Sequence, residues 1–187
     1  EHFKPAILEG IKKHEEEINA IANSSAAPTF DNTILAMENA GELLSNVNVV
    51  FSNLNSANNN KEIQNIAKEI APNLSAHRDD IYLNAKLFAK VKALWSQKET
   101  LNLNLEQAKI LDNLYKDFVR SGANLSDSDK EILRKINGEL SLTSLKYGQN
   151  ILAETNKYEL VIDAQKDLAG LPEGLIDAAA ADARAKG

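Results

Sequence analysis

From Asp112 to Asn150 the chain sets two apolar stripes of helical period end to end, with a turn at Ser121-Gly122 between them. Leu114, Tyr115 and Phe118 recur at steps of three and four on one side of the turn, and Ile132, Leu133, Ile136 and Leu140 do so on the other. Such spacing places apolar side chains on one face of an α-helix and forbids the alternation a sheet requires. Gly122 can adopt the left-handed conformation that ends the first helix without a Cβ penalty. Ser126, with Asp129 three residues on, has nearly a capping-box spacing for the start of the second.

The same period runs through most of the 187 residues. Ile7, Ile11, His14, Ile18 and Ile21 mark a first helix over 5–23, which Pro5 suits as a first-turn residue. Thr29 caps a long second helix whose seam is Phe30, Ile34, Met37, Gly41, Leu44, Asn48 and Phe51, with Gly41 as a close-approach point. Ile63, Ile66, Ile70, Leu74, His77 and Ile81 keep phase across Pro72. A mid-helix proline costs about 3 kcal/mol, so the continuous stripe predicts one kinked helix there. Asn84 caps a short helix, and Asn104 with Gln107 begins the one that runs into Gly122. The helix from Ser126 to about Thr155 is apolar on two faces in its second half: Tyr147 and Ile151 on one, Leu142, Leu145 and Leu152 on the other. Two apolar faces call for cover on both.

Residues 157–163 change period. Tyr158, Leu160 and Ile162 alternate with their neighbours as a half-buried strand would, and no second strand is visible to pair with it. An Ala-rich helix follows from about Glu173 to Lys186. The expected fold is therefore an all-α bundle of about six or seven helices with at most one short strand near the C-terminal end. A helical domain over 1–155 precedes a strand-plus-helix segment over 156–187.

Composition narrows function more than it names it. Twenty-one Lys and Arg against 27 Asp and Glu give −6, with the signs well mixed. No basic patch invites nucleic acid or an anionic membrane, and no apolar run reaches the roughly 20 residues of a membrane span. With no cysteine, disulfides, thiolate metal sites and cysteine nucleophiles are all excluded, and the absence fits a cytoplasmic protein. No signal-peptide pattern opens the chain, which also lacks an initiator Met and is expected to begin inside a longer protein.

No constellation of residues carries chemistry. His14-Glu15-Glu16-Glu17-Ile18 begins like the zinc-binding His-Glu-x-x-His helix, but Ile18 stands where the second histidine must be, and a catalytic zinc needs three protein ligands. His14 and His77 lie on apolar stripes and read as packed histidines with one nitrogen bonded. Asp79-Asp80 reads as solvated helix charge rather than a cation site. Tyr115 and Phe118 read as core, with Arg120 on the surface. Neither a Gly-rich phosphate loop nor a nucleophile elbow occurs. Catalytic, cofactor-binding and metal-binding residues are accordingly expected to be none in this chain.

The ordered set of local motifs is more telling. Tyr115-Lys-Asp-Phe-Val-Arg-Ser-Gly-Ala-Asn-Leu125, then Lys130, Asn137, Leu140 and Tyr147-Gly-Gln-Asn150, resembles the zinc metallopeptidases of the thimet oligopeptidase group. Within that group the likeness is strongest to the peptidyl-dipeptidases, or dipeptidyl carboxypeptidases. Pro28-Thr-Phe-Asp-Asn-Thr33 is similar to the family's Pro-Thr-Phe-Glu-Asn-Thr, with Asp31 for Glu, and Glu1-His-Phe-Lys-Pro-Ala6 and Leu168-Ala-Gly-Leu-Pro-Glu173 match as well. The resemblance implies a segment rather than an enzyme. Family members are several times longer, and their zinc ligands and general base lie far downstream of Gly187, so no catalytic residue carries over. It implies an N-terminal helical part that walls a deep substrate channel, inactive alone. Its implied partners are the C-terminal catalytic domain of the same chain and short peptides, with zinc as the parent enzyme's metal and neither nucleic acid nor membrane as a partner. Under this reading residues 156–187 pack on the absent catalytic part. Two alternatives stand beside it: the same domain of a sibling oligopeptidase that cuts internally, and a stand-alone helical interaction module.

Overall fold

A computed structural model describes residues 2–186 of the chain. Glu1, which opens the Glu1–Ala6 match, and Gly187 lie outside the described residues. Seven long helices make up the fold: α1 (Phe3–Asn23), α2 (Glu42–Ala57), α3 (Lys61–Tyr82), α4 (Ala85–Ser96), α5 (Leu105–Arg120), α6 (Asp127–Lys157) and α7 (Glu173–Lys186). Among the described residues there is no strand. The chain divides into two compact units, Glu1–Gly148 and Gln149–Gly187.

The helix starts follow their caps. Thr29 and Asn32 form a reciprocal capping box at the head of the segment Phe30–Leu35, and Asn104 and Gln107 form another at α5. Asn60 and Asn84 accept from the backbone N–H of Ile63 and Leu87 at the starts of α3 and α4. Ser126 accepts from the N–H of Asp129 as α6 begins. Each such bond satisfies a donor that the helix itself leaves orphaned. Pro72 sits inside α3, which runs through it as one helix.

The long second helix of the sequence reading is broken in the structure. A π-helical turn over Phe30–Leu35 passes into a short α-turn, Ala36–Glu38, and the chain then reverses before α2 begins at Glu42. Gly41 supplies the break with φ of 80°, a conformation open to glycine and costly for other residues. The seam kept its phase in sequence across a turn that periodicity cannot detect. Gly41 is a close-approach point as well, against the His14 ring, and a second lies at Gly10 of α1, where a Cβ would lie 2.9 Å from Cα of Leu44 in α2.

Two apolar clusters fill the first unit. The larger gathers Ile18, Ile34, Leu87, Val91, Leu111 and Phe118, with the Phe118 ring 5.1 Å from Tyr82 and 5.7 Å from Phe88. The smaller joins Ile7, Ile11, Phe51, Ala67 and Ile70, and Phe3 packs on Phe51 at 5.4 Å. Helix α1 contributes to both and packs on α2, α3 and α4, so it is the axis of this unit. Each fully buried aliphatic or aromatic side chain here is worth about 1.5–3 kcal/mol. Trp95 of α4 stacks on Tyr115 of α5 at 4.0 Å, and its indole N–H donates to Asp112.

Helix α6 is different. Leu133 turns inward over Gly122, and Leu145 packs against the smaller cluster rather than lying on an open second face. Ile132, Ile136 and Leu140, read from the sequence as part of the same stripe, are 56%, 53% and 58% exposed. In the second unit, no described residue is buried. The alternation at 157–163 does not produce a strand: residues 158–164 have no regular secondary structure, and Tyr158, Leu160 and Ile162 are exposed. An extended segment needs a neighbouring ladder for its backbone groups, and there is none among the described residues. A 3-10 turn, Gln165–Leu168, precedes α7, whose Lys186 pairs with Glu159.

Candidate functional site

Two polar features of the first unit bring together residues far apart in sequence. The first joins α1 to α3. His14 and His77 meet with Nδ1 of one 3.0 Å from Nε2 of the other, their rings edge to face at 4.9 Å. His77 is only 4% exposed. Its Nδ1 has no hydrogen-bond partner, and Glu15 Oε1 lies 3.6 Å away. Burial holds the His14 imidazole below the usual histidine range, the neighbouring His77 pushes it the same way, and Glu17 opposes them. Glu17 also accepts from the backbone N–H of Gly41 at 2.7 Å, and a Cβ at Gly41 would lie 2.7 Å from His14 Nδ1. Helix α1 thus holds the turn before α2 through Glu17 and meets α3 through the histidine pair.

The second feature is a cleft of about 370 Å³ between α3, the end of α5 and α6. Arg78, Asp79 and Tyr82 line it from one face of α3, Arg120 from the last turn of α5, and Asn137 and Leu140 from α6. Asp79 is 6% exposed and accepts from Asn137 Nδ2 at 2.7 Å. Burial raises its carboxyl above the usual range, opposed first by that hydrogen bond and then by Arg134. Asp80 pairs with Arg134 at 2.6 Å. The two aspartates thus diverge to separate partners on α6 and do not form a joint cation site. Tyr82 is raised by burial, and the Arg78 guanidinium lies 5.2 Å from its ring centre.

Tyr115 and Phe118 belong to the core, and Arg120 is exposed. Among the described residues no group of three His, Cys, Asp or Glu side chains could hold a metal ion. The donor set needed for a catalytic zinc is not assembled by these residues. Among the described residues no helix is long and apolar enough to cross a membrane. Sequence reasoning missed the His14–His77 contact. Its one visible signal was that both histidines sit on the apolar stripes of helices α1 and α3.

No family model matches the chain. Curated relatives match it throughout. It is 39% identical over 186 residues to dipeptidyl carboxypeptidase of Salmonella typhimurium and 38% identical over 186 residues to that of Escherichia coli, each alignment spanning 100% of this chain and 27% of the relative. Oligopeptidase A of Escherichia coli is 26% identical over the same span. The chain therefore covers about a quarter of the length of these relatives.

Proposed function

The chain matches, over its whole length, the N-terminal segment of the dipeptidyl carboxypeptidase and oligopeptidase A family, and from that premise we propose that it is the N-terminal helical domain of a zinc peptidase that releases dipeptides from the C-termini of short peptides. The observation that carries the choice is the gap in identity, 39% to a dipeptidyl carboxypeptidase against 26% to an oligopeptidase A over the same 186 residues. In this reading the helices wall a substrate channel, and the rest of the same polypeptide supplies the zinc ligands and the general base. Zinc would polarise a water there, chemistry for which the described residues of this chain offer no ligand set.

The exposed apolar stripe of α6 supports the reading. Three large aliphatic side chains in a row on one helix face forgo about 1.5–3 kcal/mol each while they remain in water. A face of this kind marks an interaction surface, and further chain of the same enzyme is the partner proposed for it. Residues 156–187 would pack on that catalytic part too, and the enzyme would act in the cytoplasm.

The experiment is peptide cleavage by the longer protein that carries this segment. Chelator-sensitive release of C-terminal dipeptides from a free-acid peptide, blocked when the C-terminus is amidated, is the expected result. Internal cleavage indifferent to the amide would transfer the segment to the oligopeptidase reading, which the 26% match also allows. No cleavage at all would overturn both.

A further inference from the structure

We propose that the cleft between α3, α5 and α6 is a subsite for a peptide carboxylate, held by Arg78 and Arg120. The charge arithmetic of the cleft points there. Arg78 and Arg120 line it from different helices, and neither forms an ion pair or a hydrogen bond among the described residues, although the charge of Arg78 acts on the neighbouring Asp79 carboxyl. Asp79, the acid on the cleft wall, is buried, accepts from Asn137 and has its carboxyl raised by burial, while Asp80 pairs with Arg134. Arg78 rests over the Tyr82 ring, an arrangement that leaves the in-plane N–H groups of the guanidinium free to donate.

The ligand follows from the donors and the floor. A guanidinium fork matches the two oxygens of a carboxylate, and two forks entering one cleft favour a bound anion over a neutral group. Leu133 gives the cleft an apolar side, which suits the side chains next to a peptide carboxylate and would gain nothing from a bare inorganic ion. A volume of about 370 Å³ takes a few residues of peptide and no folded partner. The chain as a whole carries −6, so an anionic group is drawn to this cleft by local charge against the general field. That the occupant is a peptide rests on the peptidase reading; the carboxylate preference rests on the cleft alone.

A titration of the 187-residue chain followed by NMR at the Arg78 and Arg120 Nε–H signals tests it. The probes are acetyl-Ala-Ala-Ala as free acid, the same peptide as its amide, acetyl-Ala-Glu-Ala amide, and sodium acetate. The free acid should shift both signals and the backbone amides of Asn137 and Ser141 on the cleft wall, with the amide at least about tenfold weaker, and Arg78→Gln with Arg120→Gln should abolish the shifts at Asn137 and Ser141 while circular dichroism stays unchanged. A response to the Glu-containing amide would assign the site to acidic side chains as well as chain ends, and its absence would restrict it to chain ends. Equal shifts with acid and neutral amide, saturation by acetate at the same concentration, or no shift at millimolar peptide would each overturn the proposal. Acid-selective binding would stand even if the longer protein proved inactive. An active longer protein without such binding would remove the subsite and leave the peptidase reading intact.

Discussion

His14 Nδ1 and His77 Nε2 lie 3.0 Å apart, so two residues 63 positions apart share one hydrogen bond between α1 and α3. That bond needs one nitrogen to donate and the other to accept. Protonating both rings removes the acceptor and sets two positive charges edge to edge. Glu15 and Glu17 on α1 face the pair and temper the repulsion, but burial outweighs them at His14.

Stability should therefore fall on mild acidification. The His14 imidazole titrates lower in the folded than in the unfolded chain, so the unfolded state binds more protons below the ordinary histidine pKa of 6.5. The contribution is fully present above that value and is lost as pH falls through the folded one. Asp79, raised in the folded state, acts with the opposite sign and is relieved by acid, in a window starting from its ordinary value of 3.8. Urea midpoints at pH 7.5 and just below 6 check this, with a lower midpoint expected at the acid pH. His14→Gln should flatten the slope; an unchanged slope in that variant would place its origin elsewhere.

Gly122 and Ser121 should respond differently to valine. Gly122 has φ of 96°, and a Cβ there would lie 2.8 Å from side-chain atoms of both Leu125 and Leu133. A β-branched residue in that conformation costs about 1–2 kcal/mol in backbone strain alone. Ser121 has φ of −78°, so Ser121→Val changes only propensity, a few tenths of a kcal/mol. Denaturation midpoints should drop clearly for Gly122→Val and little for Ser121→Val.

Alanine should have opposite signs at two helical glycines. Replacing an unconstrained helix glycine gains about 0.5–1 kcal/mol, and Gly138 of α6 has nothing within 4 Å of its Cβ position. At Gly10 the new methyl would meet the backbone of Leu44 at 2.9 Å, and overpacking of that kind costs about 1–3 kcal/mol. Thermal melts should rise for Gly138→Ala and fall for Gly10→Ala.

In the second unit, amides of residues 158–163 should exchange much faster than those of α6 between Ile132 and Leu145. The former lie outside regular structure and the latter inside a helix. Comparable protection in a dilute monomer would mean that the tail orders itself.

The caps and Gly122 were legible because each is a local matter, decided by a side chain within three or four residues of the backbone group it serves. The break at Gly41 was not. The stripe from Phe30 to Phe51 keeps helical phase across the turn, so periodicity alone joins what φ of 80° separates. The His14–His77 pair and the Gly10–Leu44 approach depend on how helices distant in sequence dock, which no local spacing encodes. Residues 157–163 alternate as a strand does, and alternation without a partner ladder is not enough. The family likeness was legible as an ordered series of short motifs, while the cleft was invisible because its arginines come from separate helices.

The central claim, that further chain of the same enzyme covers α6, can be tested at one side chain. The sequence contains no cysteine, so Ile136→Cys introduces a unique thiol on the 53% exposed Ile136 position. Its rate of alkylation is measured in the 187-residue chain and again in the longer protein, with any other cysteines replaced. The account predicts rapid labelling in the short chain and at least about tenfold protection in the long one, as coverage by a stable interface requires. Equal rates in both would contradict it.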